Sequence, residues 1–377
     1  MQIINIISKL NLGVNKKIRI AGIIAALAVS AIILSSPSHA PPLPQPNVES
    51  KNESVQILAT NLKKPWAIAF APDRIFVTER EGSIRVIQSN ILLDEPLTVL
   101  RAANVYGGGL LGITTHPDFE NNHFLYAYYT YSENDTLLNK VLRITESENK
   151  LKDATIIIDK IPGSQFYNGG VIKFGPDGKL YIATGLPSEN SHDSQDIFSL
   201  AGKILRLNDN GTMPADNPFA NSPVFSLGHR DPQGMAWDKE GNLYVTELGP
   251  TKNDEINLVK PGQNYGWPEQ ECSGKENYVD SVKCYDPSIE PGGIVFYSGD
   301  KLEYSDSLIM ATLRGSNLYK LDISENKVLS QKSILGGTGR IRDVGQGPDG
   351  YLYVITSNTD GKAFPDKKDD KLLRILK

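Results

Sequence analysis

Cysteine is nearly missing from this chain: 377 residues contain two, Cys272 and Cys284. That excludes a thiolate-built zinc or iron–sulfur site, which needs three or four sulfur ligands. In an exported chain, two close cysteines without a third thiol read as one disulfide; two buried free thiols are the other option. Histidine is scarce as well, with five in all. None falls into a metal-spaced pair or a Ser-His-Asp order. His116 and His123 flank a turn and read as structural, His229 as a packing or hydrogen-bonding residue, and His192 sits in a polar loop. Excess positive charge is absent too. A net charge of −5 and a pI near 5.7 leave no cationic footprint for nucleic acid. Long apolar runs are also lacking: the longest, Ile20 to Leu34, is shorter than the roughly 20 residues of a comfortable membrane span.

That run has its own meaning. Lys16, Lys17 and Arg19 precede it, and small residues at Ser38 and Ala40 follow, the layout of a secretory signal over residues 1–40. Pro41 follows the expected cut, so removal of the segment and its retention as a membrane anchor both stay open. Residues 41–53 are proline-rich and polar, the composition of an extended linker. The remainder, 54–377, reads as one domain.

What the chain has in quantity is turns: 33 glycines and 23 prolines, with 16 tyrosines, suit an all-β protein. The same phrase recurs: PWAIAFAPDRIFVTE from Pro65, LLGITTHPDFENNHFLYAYY from Leu110, GGVIKFGPDGKLYIATG from Gly169, PQGMAWDKEGNLYVTELG from Pro232 and IRDVGQGPDGYLYVITS from Ile341. A degenerate copy runs from Gly292 to Ile323. Each is a strand, a Pro-Asp-Gly-type turn and a second strand of alternating aromatic and β-branched residues, the pattern of a hairpin. Six copies predict a six-bladed β-propeller; paired β-sandwiches lack such an internal phrase. Residues 54–62 and 371–376 are candidates to complete one blade from both ends of the chain.

In a propeller the loops that open the inner strands converge. That gathers YNGG before Val171, HRDPQG from His229, the LGPTKNDE loop, LRGS and GRIRD on one face. Arg230, Arg314, Arg340 and Arg342 then suggest a polyanionic ligand, with salt bridges to Asp231, Asp254 and Asp343 as the plainer option. Asp254 and Glu255 beside the Gly249-Pro250 corner suit a hard cation such as calcium, or a simple capped turn.

Taken together, LLGITTHPDF, GGVIKFGPDGKLYIATG, SLAGKILRL, GHRDPQGMAW, ELGPTKNDEINLVKPGQNYGWP and GRIRDVGQGPDGYLYV resemble the soluble PQQ-dependent aldose sugar dehydrogenases, the glucose/sorbosone dehydrogenase family. The resemblance runs from about Ser54 to the C-terminus. It implies a six-bladed propeller that oxidises the anomeric hydroxyl of aldoses with pyrroloquinoline quinone (PQQ) and calcium. It further implies that Arg230 contacts the quinone, with Asp231 where Asn is usual. Arg314 stands in place of Lys, while Arg340 and Arg342 hold cofactor carboxylates. The Gly249 and Pro250 carbonyls would ligate calcium, and Glu255 with the Tyr265 carbonyl a second calcium.

The family's catalytic His is Tyr167 here, and three further polar positions are Gly107, Val171 and Leu248. An imidazole titrates near working pH, whereas a tyrosine with a pKa near 10 is a weaker base. Three readings follow. One is a sugar or alcohol dehydrogenase with a substitute base at Tyr167, Asp231 or His192, passing electrons to an unidentified acceptor. Another is a calcium-binding propeller serving as an extracellular scaffold. The third is a calcium-dependent hydrolase such as a lactonase.

Overall fold

The computed structural model describes residues 54–187 and 191–377; the expected signal and linker, 1–53, lie outside them. Six antiparallel sheets of four or five strands account for the strands of the described residues. Their innermost strands are Pro65–Ala71, Leu110–Thr115, Gly169–Phe174, Pro232–Trp237, Pro291–Phe296 and Ile341–Gln346, and each packs against the next around a closed ring. These are blades one to six of a β-propeller.

Burial grades outward. The second strands Leu180–Thr184, Leu308–Thr312 and Leu352–Thr356 are wholly buried, which their unbroken apolar and β-branched sequences allow. The outermost strands Lys150–Pro162 and Lys327–Gly336 are largely exposed and carry lysine and serine. Phe76, Tyr126, Tyr128 and Tyr297 are fully enclosed between blades. Each aromatic ring so enclosed contributes about 1.5–3 kcal/mol of apolar burial.

Every inner strand shifts register near its start: between Pro65 and Ile68, Leu110 and Ile113, Gly169 and Ile172, Pro232 and Gly234, Pro291 and Ile294, and Ile341 and Asp343. Six equivalent bulges turn the entering loops toward the axis, which is how bulges re-aim side chains at a rim. Two inner-strand glycines are obligatory here. A methyl on Gly234 would enter the Gly292 carbonyl, and one on Gly292 would enter that of Arg342. The sixth blade is composite: Val55–Ala59 pairs with Leu372–Ile375 as its outer strand, from Val55–Ile375 to Ala59–Leu372 with a register shift between Ile57 and Ala59. Ile68 N–H donates to Asp343 at 2.9 Å across the join between blades one and six. Among the described residues no helix is long and apolar enough to cross a membrane.

Candidate active site

Blade four begins with the sequence that builds the site. Gly228 takes a φ of +78°, and His229 turns inward, fully buried. Its ring stacks on Tyr265 at 4.8 Å, with Nε2 2.8 Å from Ser226 Oγ and Nδ1 3.0 Å from Glu247. The expected packing role of His229 is what the structure shows. The Arg230 backbone N–H donates to the same Glu247 carboxylate. Thus fixed, the Arg230 guanidinium donates to the carbonyls of Leu248 (2.9 Å) and Gly249 (2.8 Å). It lies 4.2 Å over the Tyr167 ring and 5.2 Å from Trp267, a stack in which ring quadrupoles offset part of its desolvation.

Tyr167 is held in a left-handed conformation, φ 57°. Such a conformation is costly for a bulky residue and tends to accompany functional sites. Two neighbours impose it. Asn168 is buried, donates to the carbonyls of Gly107 and Ser164 and accepts from Ser164 N–H. Gly185 packs directly against the Tyr167 carbonyl, where a Cβ has no room.

Beneath this layer is a buried polar relay. Asp231 Oδ1 accepts from Gly169 N–H and from Gln233 Nε2, both at 2.9 Å. Gln233 Oε1 accepts from Arg342 at 2.8 Å, and the Arg342 guanidinium lies 4.4 Å from the Trp66 ring. Burial pushes the Asp231 carboxyl up to about 6, against the opposing pull of Arg230. Burial likewise pulls Arg342 down to about 10, and its Nε is buried without a partner. An enclosed cation with an unspent donor has capacity for an anion.

A second cluster lies between Glu247 and Glu255. Glu255 accepts from Cys272 N–H (2.6 Å) and Asn257 Nδ2 (2.9 Å), while Asn257 Oδ1 is buried with no partner. Burial, then the Glu247 charge, pushes the Glu255 carboxyl up. Glu247 and Glu255, with Gly228, Arg230, Gly249 and Tyr265, help wall a void of about 10 Å³, close to the room one water or ion needs. Two crowded carboxylates on an ion-sized gap fit a hard cation. No group of three or more His, Cys, Asp or Glu side chains is placed to hold a metal among the described residues. Carbonyls would have to complete such a shell. The Cys272–Cys284 disulfide closes the loop that bonds Glu255, as the isolated pair predicts.

The raised Glu255 pKa sets a sign. Its neutral form is favoured in the fold, so its contribution to stability is present below the ordinary carboxylate pKa and fades as pH rises through the shifted one. A hard cation in this gap would take the ionised form. Added calcium should therefore raise Tm more near pH ~8 than near pH ~5.5, a difference readable by thermal unfolding with and without chelator.

The structure distributes the other sequence candidates unevenly. Arg340 pairs with Glu290 (2.9 Å) and Asp360 (3.1 Å), not with the aspartates suggested by sequence. Arg314 is exposed on a turn whose Leu313 and Gly315 bond Glu290 and Ile289, placing it on the same rim. Pro250 is exposed at the corner. Asp254 serves Gly249 N–H, Ser288 and the N–H groups of Ile289 and Glu290, so it is a loop tie and not a free ligand. His192 faces Glu269 at 3.9 Å, mostly exposed. Sequence reading missed Glu247, Gln233, Trp66 and Trp267. Glu247 and Gln233 sit inside the motifs already singled out; the two tryptophans carry no sequence signal for their stacking.

Residues 62–374 match the Glucose / Sorbosone dehydrogenase family. The chain belongs to that family. This family member is 33% identical over 341 residues to the aldose sugar dehydrogenase YliI of Escherichia coli K12, covering 82% of this chain and 91% of that protein. It is 31% identical to quinoprotein glucose dehydrogenase B of Acinetobacter calcoaceticus, covering 91% and 93%. Among solved structures, the PQQ-bound aldose sugar dehydrogenase of Streptomyces coelicolor superimposes with a TM-score of 0.77 at 35% identity, covering 86% of this chain and 98% of that one.

Proposed function

We propose that this glucose/sorbosone dehydrogenase family member is a PQQ- and calcium-dependent oxidoreductase acting on the CH–OH group of an aldose or related alcohol. The observation that carries the reading is Arg230 clamped on the Leu248 and Gly249 carbonyls above the under-partnered cation of Arg342. Such a seat offers carbonyl oxygens to a metal and guanidinium groups to a carboxylate-bearing ligand. Arg342, Arg340 and the exposed Arg314 would hold the carboxylates of PQQ, with Arg230 against its ring system and Asp231 beside it. The Gly249 and Pro250 carbonyls would hold one calcium, and Glu255 with the Tyr265 carbonyl a second. When bound, PQQ supplies the acceptor for the hydride that leaves the carbinol carbon.

What remains for the protein is the hydroxyl proton. Tyr167 occupies the place of the family's His, with its ring against a guanidinium. Asp231 has the better-matched basicity, since a carboxylate near pH 6 is ionised at neutral pH yet accepts a proton readily. We assign proton uptake to Asp231 and the positioning of Arg230 to Tyr167. The leading basic and apolar segment supports export to the cell surface or beyond, cleaved or anchored, and the disulfide agrees with an oxidising compartment.

The test is reconstitution. Calcium and PQQ added to the purified protein should give a bound-quinone absorbance and aldose-dependent reduction of a dye. Tight cofactor binding without turnover on any sugar would point instead to a binding scaffold, and no cofactor binding would end the proposal.

A further inference from the structure

The blades repeat one joint, and the copy between blades four and five is left open. In four blades a second-strand tyrosine packs edge-on against an aromatic near the end of the next blade's inner strand. Tyr126 meets Phe174 at 5.1 Å, Tyr181 meets Trp237 at 5.1 Å, Tyr244 meets Phe296 at 5.2 Å and Tyr353 meets Phe70 at 5.2 Å. These joints lie at the ends of the inner strands away from Arg230 and Arg342. Six extended residues put roughly 20 Å between the two faces.

The other three joints close on polar partners from within the chain. Tyr181 donates to Asp177 at 3.0 Å, and Arg206, paired across the sheet with Tyr181, donates to the same carboxylate at 3.0 Å. Blade six repeats this: Tyr353 donates to Asp349 at 2.8 Å, and Arg374, paired with Tyr353, donates to Asp349 at 3.2 Å. In blade two Tyr126 donates to the Asp209 carbonyl at 2.9 Å, and Arg143 is its cross-strand partner.

Blade four departs at two positions. Counting back from the tyrosine, Glu240 stands where blades three and six have Asp177 and Asp349. Across from Tyr244 stands Leu258, where those blades have arginine. Tyr244 is 3% exposed, yet its hydroxyl has no hydrogen-bond partner among the described residues. A buried phenol left without a partner calls for one. Burial, then the charges of Asp238 and Glu240, push its pKa up, so it remains a neutral hydroxyl facing carboxylates.

That hydroxyl opens on a cavity of about 580 Å³ lined by Trp237, Tyr244 and Phe296. The same joint in blade six, filled by Arg374, leaves about 190 Å³. Small-molecule sites typically hold roughly 300–1,000 Å³. Four carboxylates, those of Asp238, Glu240, Asp306 and Glu325, line the cavity against the one ammonium of Lys239. Asp238 is spent on its own turn, accepting from the N–H groups of Glu240 and Asn242. Lys239 reaches Asp306 at 3.0 Å, but both are mostly exposed, and such a pair yields readily to a competing cation. Among the described residues no three of these carboxylates converge on a metal position. Aromatic walls with an acidic rim suit an organic cation instead.

We propose that this cavity binds a guanidinium-bearing ligand, which brings from outside the group that Arg206 and Arg374 supply within blades three and six. A planar guanidinium can lie on an aromatic ring while its N–H groups donate to the Tyr244 oxygen and to Glu240. The site stands apart from the dehydrogenase chemistry and does not depend on it.

The test is calorimetric titration of the full chain at low ionic strength with agmatine, with putrescine and with a blocked Gly-Arg-Gly tripeptide. Agmatine is expected to bind with a Kd of about 0.1–1 mM. Putrescine, an ammonium pair without the planar fork, should bind about tenfold more weakly. Tyr244→Phe removes one oxygen and no packing, and should weaken agmatine about three- to tenfold. Tyr353→Phe, in the closed joint of blade six, should leave agmatine binding unchanged. Leu258→Arg restores the internal arginine and should abolish binding; Glu240→Gln, at an exposed position, should weaken it about threefold without touching the core. A tripeptide that matches agmatine assigns the guanidinium to an arginine side chain of a partner protein, and a weaker tripeptide assigns it to a free small molecule. Failure of agmatine to bind would overturn the proposal. Equal binding of agmatine and putrescine, indifferent to Tyr244→Phe and Glu240→Gln, would do the same, since it would mark diffuse attraction to an acidic surface.

Discussion

Replacing Asp231 by Asn should lower kcat of the reconstituted protein by about 10²- to 10⁴-fold, the range for loss of a positioned general base. The substitution is close to isosteric. The Asn oxygen can still accept from Gly169 N–H and Gln233, so the fold and the relay to Arg342 survive. What disappears is a buried carboxyl whose protonation changes at about pH 6. In the native chain kcat should rise with pH through about 6, as the carboxylate ionises. In Asp231→Asn that limb should vanish along with the rate.

The same substitution has a second reading in stability. Because the folded Asp231 pKa is raised, its contribution is present below the ordinary carboxylate value and lost as pH climbs through about 6. Two units correspond to about 3 kcal/mol, which Asp231→Asn would not lose. The variant should thus be the more stable protein near pH ~8 and the far slower one. Unchanged kcat would instead make Asp231 a cofactor contact and return proton transfer to Tyr167. In that event Tyr167→His should raise the rate.

Gly249→Ala should remove cofactor-dependent activity by about 100-fold or more, with loss of any calcium-induced rise in Tm. A methyl at this position enters the Lys252 carbonyl oxygen and falls 2.7 Å from the Asn253 carbonyl group. Both obstacles are backbone, so no rotamer change relieves them; the 249–253 corner must open. Opening it moves the Gly249 carbonyl off Arg230 and frees the Gly249 N–H from Asp254, to which it donates at 3.0 Å. Gly241→Ala is the control. Gly241 is left-handed, φ +83°, which Gly249 is not, but nothing lies near the added methyl, so the change should cost about 1 kcal/mol of stability and leave reconstitution intact. Reconstitution of Gly249→Ala to native activity would mean that the corner does not form the seat.

How far the sequence carried differs between fold and site. The repeated hairpin phrase made six blades legible, because the turn residues and strand alternation are local chemistry that each copy states for itself. Even the composite blade could be anticipated from the apolar alternation near both ends of the chain. The site was only half legible. Arg230, Gly249 and Glu255 lie within one stretch, and their neighbourhood follows from it. The ion-pair partners of Arg340, Glu290 and Asp360, were not among the aspartates offered by sequence because they lie 50 and 20 residues away along the chain. Nothing near them in sequence marks the pairing. Tyr244 was passed over for a related reason. It is an ordinary strand tyrosine in its own repeat, and only the arginines paired with its counterparts, Arg206 and Arg374, mark what it lacks.

The sixth blade has a consequence for how the molecule is made. Its outer strand, Val55–Ala59, is made before the other described strands of the ring, while the strand it pairs with, Leu372–Ile375, is made after them. Until Leu372–Ile375 is made the chain can hold at most five finished blades and two unpaired sheet edges, a state that invites pairing with other chains. A closure spanning more than 300 residues of separation also belongs among the slow steps of folding. The ring is therefore sealed only once Leu372–Ile375 has been made and has met Val55–Ala59.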